Sequence, residues 1–256
     1  MGLPHGRSFD GHLADPERVS TLAGGREQFE QAARCEMTNA TYGKLTQMAS
    51  QLWHDTPIVA LDLEGSGAQD RDVEAILEVA AVPLVHGQLD LDQAFTSLVN
   101  PGRSIPQRPW ISPGLTDAAL AKAPAMEQFA PRLAELIDGR WLLGHNINVD
   151  WRLLSRRVPT LRPAGLLDTL ALARTMDFPD RSLSALVERL QLRETMQAAA
   201  GSSHPHRAYW DTVATAYLLP KLVYRLWPTK PPTFDSLRLA AEVALPSSAD
   251  QPGLFG

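Results

Sequence analysis

Three β-capable runs in a row, followed by strands that alternate with helix-spaced segments, leave few folds open to this chain. After Pro57, the apolar run Ile58-Val59-Ala60-Leu61 ends in Asp62-Leu63-Glu64 and then Gly65-Ser66-Gly67, the pattern of a buried strand and its exit turn. Ala75 to Val85 is a second apolar, β-capable run, and beyond His86-Gly87 strand-like composition resumes from Leu89 to Val99, as in a hairpin or meander.

The pattern then changes. Asn100-Pro101-Gly102 and the prolines up to Pro113 form a long irregular connection, after which Met126, Phe129, Leu133, Leu136 and Ile137 recur at helical spacing. Trp141 to Gly144 reads as a fourth strand, Val149 to Arg157 as helical, and Gly165-Leu166-Leu167 as a fifth strand before Asp168 caps another helix. Ser182 caps a helix through Leu186 to Leu190, and Arg207 to Leu226 is a long helix carrying Pro220 and ended by Trp227-Pro228. The alternation predicts an α/β domain over 54–228, with a five-stranded mixed sheet flanked by helices.

Outside that span the sequence is plainer. Residues 1–53 form an N-terminal extension whose first 25 residues, rich in Gly, Pro, His and charge, are expected to be poorly ordered, with helical character from 26 on. Met37 is a second candidate start. Residues 229–256 read as a short helix from Phe234 to Val243 and a Ser/Pro/Gly-rich tail from Pro246. The formal charge of −5 gives no overall basic footprint, so contact with a phosphate backbone must be local. The lone Cys35 excludes an internal disulfide and a multi-cysteine zinc site, and charges within the first thirty residues interrupt any signal or membrane segment. The expectation is a cytoplasmic protein with no membrane partner.

Five side chains carry the chemistry. Asp62 and Glu64 sit two apart at a strand end, so the period-two geometry points both carboxylates to one side of the sheet. Asp150 lies where a short strand leaves the core and a helix begins, and Asp211 lies early in the long helix. His206 is five residues before Asp211, about 500° of helical rotation, so it is placed on the loop that leads in, behind the small residues Ala198 to Ser203. An isolated Asp-x-Glu is common by chance, and an acid in a first helical turn is ordinary dipole matching. The conjunction of all five in this order is not.

Those residues resemble the three exonuclease motifs of the DEDD superfamily in its histidine branch, which includes the epsilon proofreading subunit of bacterial replicative polymerases, ribonuclease T and oligoribonuclease. Val59 to Glu64 is similar to the first motif, Gly144-His145-Asn146 through Asp150 to the second, and His206 with Asp211 to the third. The resemblance implies a ribonuclease H-like exonuclease fold. It also implies that Asp62, Glu64, Asp150 and Asp211 hold two divalent cations, Mg or Mn, while His206 deprotonates the attacking water. The chemistry agrees: hard ions about 3.5–4 Å apart activate water and offset charge on the leaving oxygen, and they require oxygen ligands. Gly65-Ser66-Gly67 and Val149 depart from the usual pattern of two threonines with a glycine and of an aromatic residue, which bears on contacts to the substrate end and not on metal binding.

The implied substrate is a single-stranded DNA 3′ end, in proofreading or repair, at a site on the sheet edge. An RNA-trimming exoribonuclease or oligoribonuclease, and a silent nucleic-acid or clamp-binding module, are the alternatives. Arg103, Arg108, Arg152, Arg156 and Arg157 are candidates to hold phosphates, and Trp110, Trp151, Tyr209 and Trp210 to stack on bases. The tail Gln251-Pro252-Gly253-Leu254-Phe255 resembles the short peptide that grips the bacterial sliding clamp, with Leu254 and Phe255 filling a pocket and Gln251 bonding at its rim.

Overall fold

The computed structural model describes residues 51–67 and 74–245. The N-terminal extension up to residue 50 and the tail with Gln251, Leu254 and Phe255 lie outside the described residues. Strands β1 (Ile58–Gly65), β2 (Ile76–Val85), β3 (Gln88–Leu89), β4 (Phe95–Leu98), β5 (Trp141–Gly144), β6 (Gly165–Asp168) and β7 (Glu242–Val243) form one sheet in the order β3-β2-β1-β5-β6-β7, with β4 also paired to β2. β1 is antiparallel to β2 and parallel to β5, which is parallel to β6. The mixed α/β class read from the sequence is the class observed.

The sheet carries two strands more than the five expected. Each has two residues, too few for any period of two to register. β3 follows a two-residue turn in which His86 and Gly87 both adopt positive φ, at 49° and 73°, the geometry that matches strand twist in a tight hairpin. β7 begins where the last helix was expected to continue, because the chain leaves that helix at Ala241 to pair with β6. Before it, Phe234 is buried and stacks edge-on against Trp141 with ring centroids 5.0 Å apart, so Phe234, Leu237 and Ala241 share the core of the sheet.

Eight α-helices among the described residues flank the sheet: α1 (Asp117–Leu120), α2 (Met126–Ile137), α3 (Ile147–Arg157), α4 (Thr169–Arg174), α5 (Leu183–Arg189), α6 (Arg193–Ala200), α7 (Ala208–Leu226) and α8 (Phe234–Ala241). The stretch Ala198 to Ser203, expected as a flexible loop, is helical as far as Ala200, because Ala199 and Ala200 are buried against the core. The irregular connection to α7 is therefore residues 201–207. Among the described residues no helix is long and apolar enough to cross a membrane.

Alternation along β1 fixes the site. Ile58 and Ala60 face one apolar layer with Trp210, Val213 and Ala214 of α7, whereas Val59 and Leu61 face the other with Phe129 and Leu133 of α2 and Leu154 of α3. A one-residue slip would exchange these faces and expose several side chains whose burial is worth about 1.5–3 kcal/mol each. With that register pinned, Asp62 and Glu64 continue the Ile58–Ala60 series, toward the layer that α7 covers.

Candidate active site

The carboxylates gather at the C-terminal end of β1, in the middle of the sheet and not at its edge as the sequence suggested. Oxygen atoms of Asp62, Glu64 and Asp211 lie within 4.8 Å of one another. Asp62 and Glu64 come from β1. Asp211 comes from the first turn of α7, and two bonds from β2 set that helix in place. Thr212 Oγ1 donates to the carbonyl of Ala80, the residue paired with Asp62, at 3.3 Å, while Glu78, paired with Glu64, accepts from Ala208 N–H at 3.3 Å.

Asp150 stands outside this trio but is electrically part of it. Its Oδ1 accepts the Leu63 N–H at 3.1 Å, which ties α3 to β1 between the two β1 acids. Gly144 allows the approach: a Cβ there would lie 2.6 Å from Ile147 Cδ1, so only glycine lets α3 turn back so close to β5. Asp168, read from the sequence as a cap, accepts from Leu170 N–H at the start of α4 and from Asn146 N–H at the start of α3, both at 2.8 Å.

His206 lies on the connection ahead of α7, where the sequence placed it, with an exposed side chain and φ of 65°. A non-glycine residue in that region stores on the order of 1–3 kcal/mol, which the surroundings must supply. Its own N–H bonds the Asp211 carboxylate, and Arg207 beside it donates to both carboxylate oxygens of buried Glu78 at 2.7 and 2.8 Å. Histidine, aspartate and strand are thereby locked together. Glu78 was missed at the sequence level, although an acid inside the apolar run Ile76 to Val85 was a signal, since buried charges are rarely unpaired.

Of the arginines proposed for phosphates, Arg152 pairs with Glu74 at 2.8 Å and Arg157 donates to the Glu74 carbonyl, so both serve the fold. Trp151 and Trp210 are buried in the two apolar layers, and Tyr209 donates its hydroxyl to Ala199 O. Glu64 accepts the Ser112 hydroxyl at 3.1 Å, another contact the sequence did not foretell.

Burial, and after it the charge of neighbouring acids, makes these carboxyls hard to ionise. Burial, reinforced by the charges of Asp150, Asp211, Glu64 and Glu78, holds Asp62 well above its ordinary 3.8. Burial and Asp211 push Glu64 from 4.5 to about 8, against the lowering effect of Ser112. Burial raises Asp150 to about 7 despite the Leu63 N–H, and Asp211 to about 7 despite the His206 N–H. The folded, metal-free protein thus keeps protons that the unfolded chain releases above about pH 4. Stability tied to those protons is whole at low pH and lost as pH rises through 7 to 8. With chelator present, the midpoint of thermal unfolding should fall between pH 5.5 and 8, by up to roughly 3 kcal/mol of stability for Glu64 alone. Mg or Mn should restore it. A midpoint that stays level or rises over that range would contradict this reading.

Comparison with known proteins places the chain among nucleases. A family profile described as Exonuclease, of the RNase_T type, matches residues 59–219. The DNA polymerase III subunit epsilon-like protein of Rhodobacter capsulatus is 33% identical over 65% of this chain and 24% of its own length. The 3′-5′ exonuclease DinG of Bacillus subtilis is 27% identical over 70% of this chain and 19% of its own. The chain thus spans about a quarter or less of these two relatives. The DNA polymerase III subunit epsilon of Aquifex aeolicus is 28% identical over 68% of this chain and 83% of its own. Among solved structures, exonuclease X in complex with 5′ overhanging duplex DNA superposes with a TM-score of 0.51 at 24% identity, covering 70% of this chain and 98% of that one, which shows a shared fold.

Proposed function

The chain belongs to the RNase_T-type exonuclease family that its residues 59–219 match, and from this we propose that it removes nucleotides one at a time from single-stranded DNA 3′ ends, in proofreading or repair. The observation that carries the proposal is the convergence of Asp62, Glu64 and Asp211 to within 4.8 Å, beside Asp150, with their protonated forms favoured by burial first and by neighbouring carboxylates second. Such a cluster needs a counter-charge. The donor set is all carboxylate oxygen, which fits hard divalent cations such as Mg or Mn and not thiophilic ions. In this reading Asp62, Glu64, Asp150 and Asp211 hold two of them.

The bound ions would lower the pKa of water and offset negative charge on the scissile phosphate and its leaving oxygen. The protein's own part is to position and to move a proton. Asp211 is oriented by the His206 N–H and Asp150 by the Leu63 N–H, so neither carboxylate swings away when ligands exchange. The exposed His206 imidazole accepts the proton of the attacking water and returns it to solvent, a role suited to an unencumbered ring nitrogen beside the site.

DNA is chosen because relatives matched along most of this domain are DNA polymerase III epsilon and epsilon-like proteins. Matched single-stranded DNA and RNA oligomers, labelled at the 5′ end and incubated with Mg or Mn, test that choice. The DNA should be shortened faster than the RNA; faster loss of the RNA would reassign the substrate.

A further inference from the structure

We propose that Trp110 is a stacking platform for an unpaired base next to the scissile phosphate; this rests on the exonuclease reading above. Of the four aromatic residues that the sequence offered for stacking, two are buried and Tyr209 is only partly open, but Trp110 is 47% exposed. Its position is fixed. The indole Nε1–H donates to Ser66 O at 3.2 Å, and two residues on, Ser112 donates to Glu64 at 3.1 Å. Ser66 is itself two residues beyond Glu64, so residues 110–112 run alongside the end of β1 in the opposite sense.

The same strip continues past the site: at Gly114 a Cβ would lie 3.8 Å from the Arg207 guanidinium, which braces the His206 connection. Residues 110–114 therefore pass beside Glu64 and the His206 connection. On that strip stands a large, half-exposed aromatic surface whose polar edge is satisfied by the Ser66 carbonyl. The Arg108 guanidinium lies over the ring at 5.4 Å from its centroid, adding a planar cation to the same stack. A preorganised ring of this kind loses little entropy on binding, and every base presents a π-face to it, so the platform selects unpaired strands without selecting sequence. A paired base, held in its own duplex stack, cannot use it.

The test compares Trp110→Ala and Trp110→Phe with the parent in full-length protein carrying Asp62→Asn, in which hydrolysis is removed and binding alone is read. Fluorescence anisotropy with a labelled oligothymidylate should show affinity weakened on the order of tenfold by Trp110→Ala and largely restored by Trp110→Phe. On the same strand made abasic at its last three 3′ positions, Trp110→Ala should have no further effect. Equal affinity of Trp110→Ala and parent for the intact strand, or the same loss on the abasic strand, would overturn the platform. In protein with Asp62 intact, the same substitution should raise KM for the oligomer about tenfold with far less change in kcat. Should Asp62-intact protein cleave nothing while base-dependent binding persists, the exonuclease reading fails and the platform stands.

Discussion

Replacing Asp62 with Asn is expected to leave about a thousandth of the wild-type rate or less on a single-stranded oligomer. Asp62 is the acid most surrounded by other acids, facing the charges of Asp150, Asp211, Glu64 and Glu78. In the proposed mechanism its charge helps to hold the cations that stabilise the transition state. Such stabilisation is worth several kcal/mol, and about 4 kcal/mol corresponds to a thousand-fold in rate. Removing an acid also relieves repulsion, so metal-free Asp62→Asn should unfold at a higher temperature than the metal-free parent at pH 8. Loss of activity with gain of apo stability is the signature of a ligand and not of a structural aspartate. An Asp62→Asn protein that retains most of its activity would remove Asp62 from the site.

His206→Ala should lower kcat by about 10²–10⁴, the usual range for a general base, while divalent-ion affinity remains close to that of the parent. The separation is expected because the histidine offers Asp211 only its backbone N–H, which alanine retains, while its imidazole is exposed. The left-handed φ of 65° adds a second consequence. Alanine tolerates that region no better than histidine, so the Glu78–Arg207 pair must hold the backbone in the variant as in the parent. Titration of Mn and single-turnover hydrolysis on the same preparation measure both quantities. A near-normal turnover would defeat the assignment of His206, and a collapse of Mn affinity would recast it as a structural residue.

Much of the site was legible because local rules reach it. The run Ile58 to Leu61 is buried on both faces, so its period of two carried Asp62 and Glu64 to the correct side, and the rotation per residue kept His206 off the face of Asp211. What local rules could not supply was the closing of the cluster. That depends on contacts 129 to 132 residues apart in sequence, from Arg207 and Thr212 to Glu78 and Ala80, which neither partner announces. The sheet-edge placement failed for the same reason: β5 inserts beside β1, and strand order is a long-range property. The helix α6 overtook a loop assignment because small residues read as flexible when exposed and as tightly packed when buried, and burial of Ala199 and Ala200 decides between them.

The aromatic residues make the same point. Trp110, Trp151 and Trp210 are equivalent as letters, yet two fill apolar layers and one stands half-exposed beyond the end of β1 with its N–H bonded to Ser66. Periodicity separates core from surface only within a regular element, and Trp110 sits in the irregular connection before α1.

That the acids at the end of β1 make a metal-dependent nuclease working inward from a 3′ end is tested most directly by one single-stranded DNA oligomer labelled in separate samples at its 5′ and 3′ ends and incubated with Mg, with and without chelator. The 3′ label should appear first as mononucleotide, the 5′ label should stay on a ladder of shrinking fragments, and chelator should stop both. Early release of the 5′ label, cleavage that survives chelation, or an intact strand with Mg and Mn alike would contradict it.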